Sequence, residues 1–129
     1  MRVGTDLVQV AEVADSIARF GDRYLTRVYT DHELATCGRS AERLAARFAA
    51  KEATIKVLRP TDVRPEWRSI EVVRDPSGAC DLRLTGTAAD QARAAGLGAL
   101  AVSLTHDGGL AAAVVVAADL HPIEPEEAA

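Results

Sequence analysis

The order of strand-like and helix-like segments predicts an α+β fold, a single small domain with a mostly antiparallel sheet packed on a long central helix. The chain has 129 residues, enough for one domain with a substantial core. Segments typical of strands stand at both ends and in the middle, with helical segments between them. Asp107-Gly108-Gly109 lies between two apolar runs and indicates a hairpin, which favours antiparallel pairing.

The first third of the chain contains one expected strand and three expected short helices. Residues 2–10 are largely apolar and predict a mostly buried strand. Residues 11–20, 22–29 and 31–37 predict helices, with Asp31 as the expected cap of the last one.

The middle of the chain contains the longest expected helix, at residues 40–58. Pro60 ends it, because proline cannot continue the helical hydrogen bonding. Strands are predicted at 69–74 and 81–85, joined by the turn signal at 75–78.

The last third contains one more expected helix and the hairpin. Residues 86–95 predict an Ala-rich helix, and residues 99–106 and 110–117 predict the paired strands. The domain is therefore expected to span 1–118, and residues 119–129 have the acidic, proline-containing composition of a disordered tail.

Charge and composition narrow the function classes. Apolar residues make up 48% of the chain and aromatic residues only 4%, so the core must be mostly Ala, Val and Leu. The net charge of −4 comes from the tail, without which acidic and basic residues number 15 each. A neutral domain argues against general nucleic-acid binding. Residues 39–68 carry eight basic and four acidic residues, which suits a small polyanion.

The two cysteines, Cys37 and Cys80, have no metal-ligand spacing and are expected to be free thiols in a reducing compartment. No signal peptide and no apolar run of membrane-spanning length is recognised. We therefore expect a cytoplasmic protein that is not bound to a membrane.

Glu52 is the most informative residue of the long helix. On a helical projection it falls within an apolar stripe formed by Leu44, Phe48 and Ile55. A carboxylate on an apolar face is costly unless a cation or a metal compensates it. The alternative is a surface glutamate paired with Lys56 at i+4.

Asp6 is a second carboxylate in an apolar setting, on the same side of the first strand as Val8 and Val10. A position at an exposed strand end is the alternative. Two inward carboxylates from separate elements can hold one Mg²⁺ together with substrate phosphates.

Basic residues flank Glu52 at spacings of four along the helix: Arg39, Arg43, Arg47 and Lys51. The flank is either a solvated helix face or a phosphate-binding surface, and the nearby carboxylates favour the second. Lys56, on the other side of Glu52, is placed to neutralise a transferring phosphoryl group.

His106 ends the strand that carries Ser103, on the face of Val102 and Leu104. It is either structural or part of a site. Ser103 lies on the opposite face, which argues against a Ser–His nucleophile pair.

Three motifs in order resemble the holo-acyl-carrier-protein synthase family, the small trimeric class of 4′-phosphopantetheinyl transferases. They are Gly4-Thr5-Asp6, the helix segment Phe48-Ala-Ala-Lys-Glu-Ala-Thr-Ile-Lys56, and Ser103-Leu104-Thr105-His106. The resemblance covers nearly the whole chain before the tail, and it implies the 4′-phosphopantetheinyl transferase fold.

The resemblance implies a Mg²⁺-dependent transfer of phosphopantetheine from coenzyme A to a serine of an apo acyl-carrier protein, with release of 3′,5′-ADP. Asp6 and Glu52 would ligate Mg²⁺, and Lys56 would stabilise the transferring phosphate. The implied contacts to coenzyme A are Arg47, Phe48, Lys51, Lys56 and His106. Either Glu52 or a water on the metal would take the proton of the serine.

The resemblance also implies partners. The family forms homotrimers with sites at subunit interfaces, so His106 would serve a neighbouring subunit. Arg19, Arg23 and Arg27 are the candidates for gripping the acidic carrier, although ordinary helix solubility explains their spacing equally well. Residues 59–65 lack the glycines with which the family wraps the nucleotide. A non-catalytic binding relative and a Mg²⁺-dependent phosphohydrolase are the competing hypotheses.

Overall fold

The computed structural model describes residues 1–120 and confirms the α+β class. Its strands are β1 (Arg2–Gln9), β2 (Ile70–Arg74), β3 (Cys80–Leu84), β4 (Leu97–Asp107) and β5 (Leu110–Asp119). Its α-helices are α1 (Val10–Phe20), α2 (Asp22–Val28), α3 (Asp31–Cys37), α4 (Ala41–Leu58) and α5 (Gly86–Ala94). A short 3₁₀ helix at Trp67–Ser69, which the sequence did not predict, precedes β2.

The strands form two antiparallel sheets rather than the single sheet that was expected. The larger sheet has the order β1-β5-β4, and β2 pairs with β3 in a separate hairpin. Asp6 of β1 lies opposite Ala113 of β5, and His106 of β4 lies opposite Ala111. The central strand β5 therefore connects the two outer strands that carry the terminal motifs.

Helix α4 is the centre of the molecule and is covered on most of its circumference. The Ala residues at 45, 46, 49, 50 and 53 are at most 1% exposed, and their small side chains allow neighbouring elements to approach closely. At Gly4 of β1, an added Cβ would lie 2.3 Å from the carbonyl oxygen of Ala53. This contact presses the first strand against α4 and fixes where Asp6, two residues later, meets the helix.

Most predicted boundaries shift by one or two residues in the structure. The cap of α3 is Thr30, not Asp31, because the Thr30 hydroxyl accepts the Glu33 amide at 3.2 Å and the Glu33 carboxylate accepts the Thr30 amide at 2.9 Å. Strand β5 continues to Asp119, one residue into the predicted tail. The remainder of that tail, 121–129, lies outside the described residues.

Over residues 1–120, every helix is too short or too polar to cross a membrane.

Candidate active site

Asp6 and Lys56 join the first strand to the last turn of α4. The Asp6 side chain is 18% exposed and shares the inward face of β1 with the buried residues Gly4 and Val8. The Lys56 ammonium donates to Asp6 Oδ1 at 3.2 Å and to the carbonyl oxygen of Thr5 at 2.7 Å. The predicted inward orientation of Asp6 is therefore confirmed, with Lys56 as its counter-ion.

Glu52 is mostly buried, with 23% of its side chain exposed, and it pairs with Arg64 rather than with Lys56. The Arg64 guanidinium donates to Glu52 Oε2 at 3.2 Å and lies 5.8 Å from the centroid of the Trp67 ring. That ring packs on Phe48 at a centroid distance of 5.1 Å. The alternative interpretation of Glu52 as a partner of Lys56 is therefore wrong.

The two carboxylates belong to one region of the surface. Glu52 and Lys56 are separated by one helical turn, so Asp6, which contacts Lys56, lies close to the turn that carries Glu52. Within residues 1–120, no group of three or more His, Cys, Asp or Glu side chains is placed to hold a metal. Two carboxylates alone suit Mg²⁺, a hard cation that takes oxygen ligands and keeps sites for water and substrate phosphates.

A basic cleft of about 270 Å³ lies between α4, the β2–β3 hairpin and the end of β4. Arg47, Arg74 and His106 line it, and Arg47 is only 5% exposed. His106 Nδ1 lies 3.4 Å from the Glu42 carboxylate. The structure thus brings together two predicted phosphate ligands, Arg47 and His106. Arg74 was missed because no motif marks the end of β2.

Lys51 does not face this cleft. Its side chain is fully buried, and its ammonium contacts the Glu33 carboxylate at 2.8 Å, the Trp67 carbonyl at 3.1 Å and the Ile70 carbonyl. Burial lowers the pKa of Lys51, an effect that the Glu33 carboxylate opposes. An enclosed ammonium with three partners does not fit the predicted contact between Lys51 and a coenzyme A phosphate.

Glu33 was missed as the partner of Lys51. Its carboxylate is fully buried and also accepts the Val72 amide at 2.9 Å, so this pair joins α3, α4 and β2. The signal that marks Glu33 was its position three residues after Thr30, which defines a capping box. The predicted basic flank therefore divides. Arg39 and Arg43 are exposed, whereas Arg47 and Lys51 are buried.

The candidate carrier-binding arginines separate in a similar way. Arg23 and Arg27 line a groove of about 440 Å³ together with Phe20, Phe48 and Trp67. Arg19 is exposed on α1 and lies 3.6 Å from Asp15 of the same helix. Phe48, predicted as a coenzyme A contact, therefore lines the same groove as Arg23 and Arg27.

A family model described as the 4′-phosphopantetheinyl transferase superfamily matches residues 2–115. The chain belongs to this family. It is 46% identical to a holo-[acyl-carrier-protein] synthase of Chloroflexus aurantiacus, with 88% of this chain and 95% of the relative covered.

Solved structures agree with this family. The ACPS–CoA complex of Chronobacterium ammoniagenes has a TM-score of 0.80 and 32% identity, covering 91% of this chain and 96% of that one. The holo-[acyl-carrier-protein] synthase of Helicobacter pylori, in complex with coenzyme A, has a TM-score of 0.79 and 27% identity, covering 91% of this chain and 100% of that one. The predicted family, fold and enzyme class are confirmed.

Proposed function

We propose that this protein transfers the 4′-phosphopantetheine arm of coenzyme A to a serine hydroxyl of an apo acyl-carrier protein in a Mg²⁺-dependent reaction. The observation that carries the proposal is the placement of Asp6, Lys56 and Glu52 around the last turns of α4. All three lie within residues 2–115, the part of the chain that the family model matches, and the relatives are holo-[acyl-carrier-protein] synthases.

In the proposed reaction the serine oxygen bonds to the phosphorus that carries pantetheine, and the bond from that phosphorus to the pyrophosphate bridging oxygen breaks. The leaving group is 3′,5′-ADP. Asp6 and Glu52 would hold Mg²⁺, which neutralises pyrophosphate charge when bound. Lys56 would donate to the transferring phosphoryl group, and the serine proton passes to Glu52 or to water. Positioning and charge neutralisation then supply most of the rate.

The basic cleft is the proposed binding site for coenzyme A phosphates. Arg47 and Arg74 contribute permanent positive charge, and His106 contributes a donor at the cleft mouth. Because guanidinium groups bind phosphate oxygens in a bidentate manner, two arginines suit a phosphate group well. Lys51 is left out of this set, since its ammonium is fully buried against Glu33.

The groove lined by Arg23 and Arg27 is the proposed contact for the acidic carrier, with Arg19 at its α1 side. Exposed arginines beside apolar Phe20, which is 54% exposed, combine charge attraction with burial of an aromatic ring. Fatty-acid, polyketide and peptide-synthetase carriers are the candidate partners for this groove.

The outer face of the three-stranded sheet supports the proposed homotrimer with sites at subunit interfaces. Val3, Leu7 and Val114 are 63%, 64% and 41% exposed on this face, an unusual number of large apolar side chains for one sheet surface. Light scattering of the purified chain tests this, and a monomer at micromolar concentration would contradict it. A cytoplasmic location is proposed with it, consistent with the free thiols of Cys37 and Cys80.

The direct test incubates the protein with coenzyme A, Mg²⁺ and a panel of apo carrier proteins, and measures the mass of each carrier. The expected result is a carrier that gains one phosphopantetheine group, with 3′,5′-ADP as the second product. Glu52→Gln should abolish the gain while circular dichroism remains unchanged. A folded protein that modifies none of the carriers would contradict transfer. Coenzyme A binding without product would indicate a non-catalytic relative, and cleavage without a carrier a phosphohydrolase.

A further inference from the structure

Arg64 occupies one of the two carboxylates that are proposed to bind the metal. It belongs to the glycine-free segment after α4, and its side chain is 62% exposed. Its guanidinium contacts Glu52 Oε2 at 3.2 Å and lies over the ring of Trp67 at 5.8 Å. Glu52 therefore has a positive partner supplied by the chain itself.

Asp6, the other carboxylate, pairs with Lys56, which has a second hydrogen-bond acceptor. Lys56 is bound to the Thr5 carbonyl at 2.7 Å as well as to Asp6, so it keeps an acceptor if Asp6 turns to another cation. Among residues 1–120, Glu52 is the hydrogen-bond acceptor found for the Arg64 side chain. If Arg64 leaves Glu52, the contact that remains to it is the face of Trp67, which attracts cations.

We propose that Arg64 is a displaceable counter-ion, which competes with the divalent cation for Glu52 and thereby sets the affinity of the metal site. A guanidinium and a dication repel each other and draw on the same carboxylate charge, so binding of one weakens binding of the other. The inference rests on the proposed role of Asp6 and Glu52 as metal ligands.

The resident cation also has a role when metal is absent. Glu52 is three-quarters buried, and an unpaired carboxylate in that position would destabilise the fold. Arg64 supplies the missing charge from solvent-exposed chain, where its own desolvation is small. In the metal-free protein this ion pair therefore offsets part of the cost of burying the Glu52 carboxylate, and the metal can replace it.

The test measures Mn²⁺ binding to the full chain by the loss of the free-ion signal in electron paramagnetic resonance. Mn²⁺ shares the oxygen-ligand preference of Mg²⁺. Arg64→Ala should bind Mn²⁺ about two- to five-fold more tightly than the wild type, the factor that a surface ion pair of this kind represents. The matched control is Arg68→Ala, which removes an exposed arginine that follows Trp67 in the chain and pairs with Asp31 at 3.1 Å.

A second readout uses Trp67, the single tryptophan of the chain. Addition of Mg²⁺ should change its emission in the wild type and in Arg68→Ala, because Arg64 moves relative to the ring. The change should be largely lost in Arg64→Ala. Unchanged emission in the wild type under conditions where Mn²⁺ binds would overturn the proposal.

A set of variants separates failure of this inference from failure of the proposed metal site. If Glu52→Gln weakens Mn²⁺ binding and Arg64→Ala equals the wild type or binds more weakly, the counter-ion role is wrong and the metal site stands. If the wild type and all variants bind no Mn²⁺, the metal site fails and the counter-ion role fails with it.

Discussion

Two adjacent residues of α4 belong to ion pairs of opposite character. Lys51 and Glu33 form a pair in which both side chains are 0% exposed and which is completed by backbone groups of three elements. Glu52 and Arg64 form a pair at the edge of the surface, with 23% and 62% of their side chains exposed. One residue along a helix turns the side chain by about a quarter of a circle, and this separates a structural charge from an exchangeable one.

Breaking the buried ion pair of Lys51 and Glu33 should have the largest effect on stability. Lys51→Met leaves the buried Glu33 carboxylate without its cation, and breaking such a pair is expected to lower the free energy of unfolding by about 3–5 kcal/mol. Urea denaturation followed by circular dichroism measures this. The double variant Lys51→Met/Glu33→Leu removes both charges and should recover part of the loss. A single variant within about 1 kcal/mol of the wild type would show that the pair is not structural.

The contact between β1 and α4 should give the next largest effect. Gly4→Ala places a Cβ 2.3 Å from the Ala53 carbonyl oxygen, and separation of the two elements should cost about 1–3 kcal/mol of stability. Because Asp6 is carried by the same strand, transfer activity should fall as well. Gly98→Ala is the matched control, since its nearest neighbour is the flexible Leu120 side chain at 3.3 Å. Equal losses in the two variants would contradict the argument.

Loss of the Thr30 cap of α3, the helix that carries Glu33, should have a smaller effect on stability. Thr30→Ala removes the hydroxyl that accepts the Glu33 amide, and such caps contribute about 1 kcal/mol. The Glu33 carboxylate keeps Lys51 and the Val72 amide, so the buried pair should survive. Thermal unfolding compares this variant with Thr36→Ala. In the wild type the Thr36 hydroxyl donates to the His32 carbonyl oxygen at an exposed turn of α3. A greater loss of stability in Thr36→Ala than in Thr30→Ala would contradict the assignment of Thr30 as the cap.

Of the four changes, loss of the partly exposed ion pair between Lys56 and Asp6 should have the smallest effect on stability. The Lys56 side chain is 55% exposed, so Lys56→Gln should change the free energy of unfolding by less than about 1 kcal/mol. Transfer activity should nevertheless fall strongly, because the transferring phosphoryl group loses the ammonium that is proposed to donate to it. The phosphopantetheine mass assay measures this, with urea denaturation as the control. Activity within twofold of the wild type would remove Lys56 from the proposed machinery.

Much of the fold was predictable because local signals marked it. The long helix begins and ends within one residue of the predicted limits, and Asp107–Gly109 correctly indicated the hairpin. The division into two sheets was not predictable, because the sequence does not show which strand edges pair.

The site was predictable only where motifs defined it. Asp6 and Lys56 are in contact, but the partners of Glu52 and Lys51 were misjudged. A helical projection shows which residues share a face and not which elements cover that face. Lys51 was therefore grouped with exposed arginines although α3 and β2 enclose it, and Arg64 arrives from a segment without a recognisable motif.

The positions of the two cysteines have a practical consequence. Cys37 is buried, and burial raises its thiol pKa, so it should react slowly with alkylating reagents. Cys80 is half-buried and lines the same cleft as Arg47 and His106. The chain thus carries one accessible thiol at the proposed nucleotide site. The rate at which Cys80 is alkylated therefore reports whether the cleft is occupied, and it requires no engineered label.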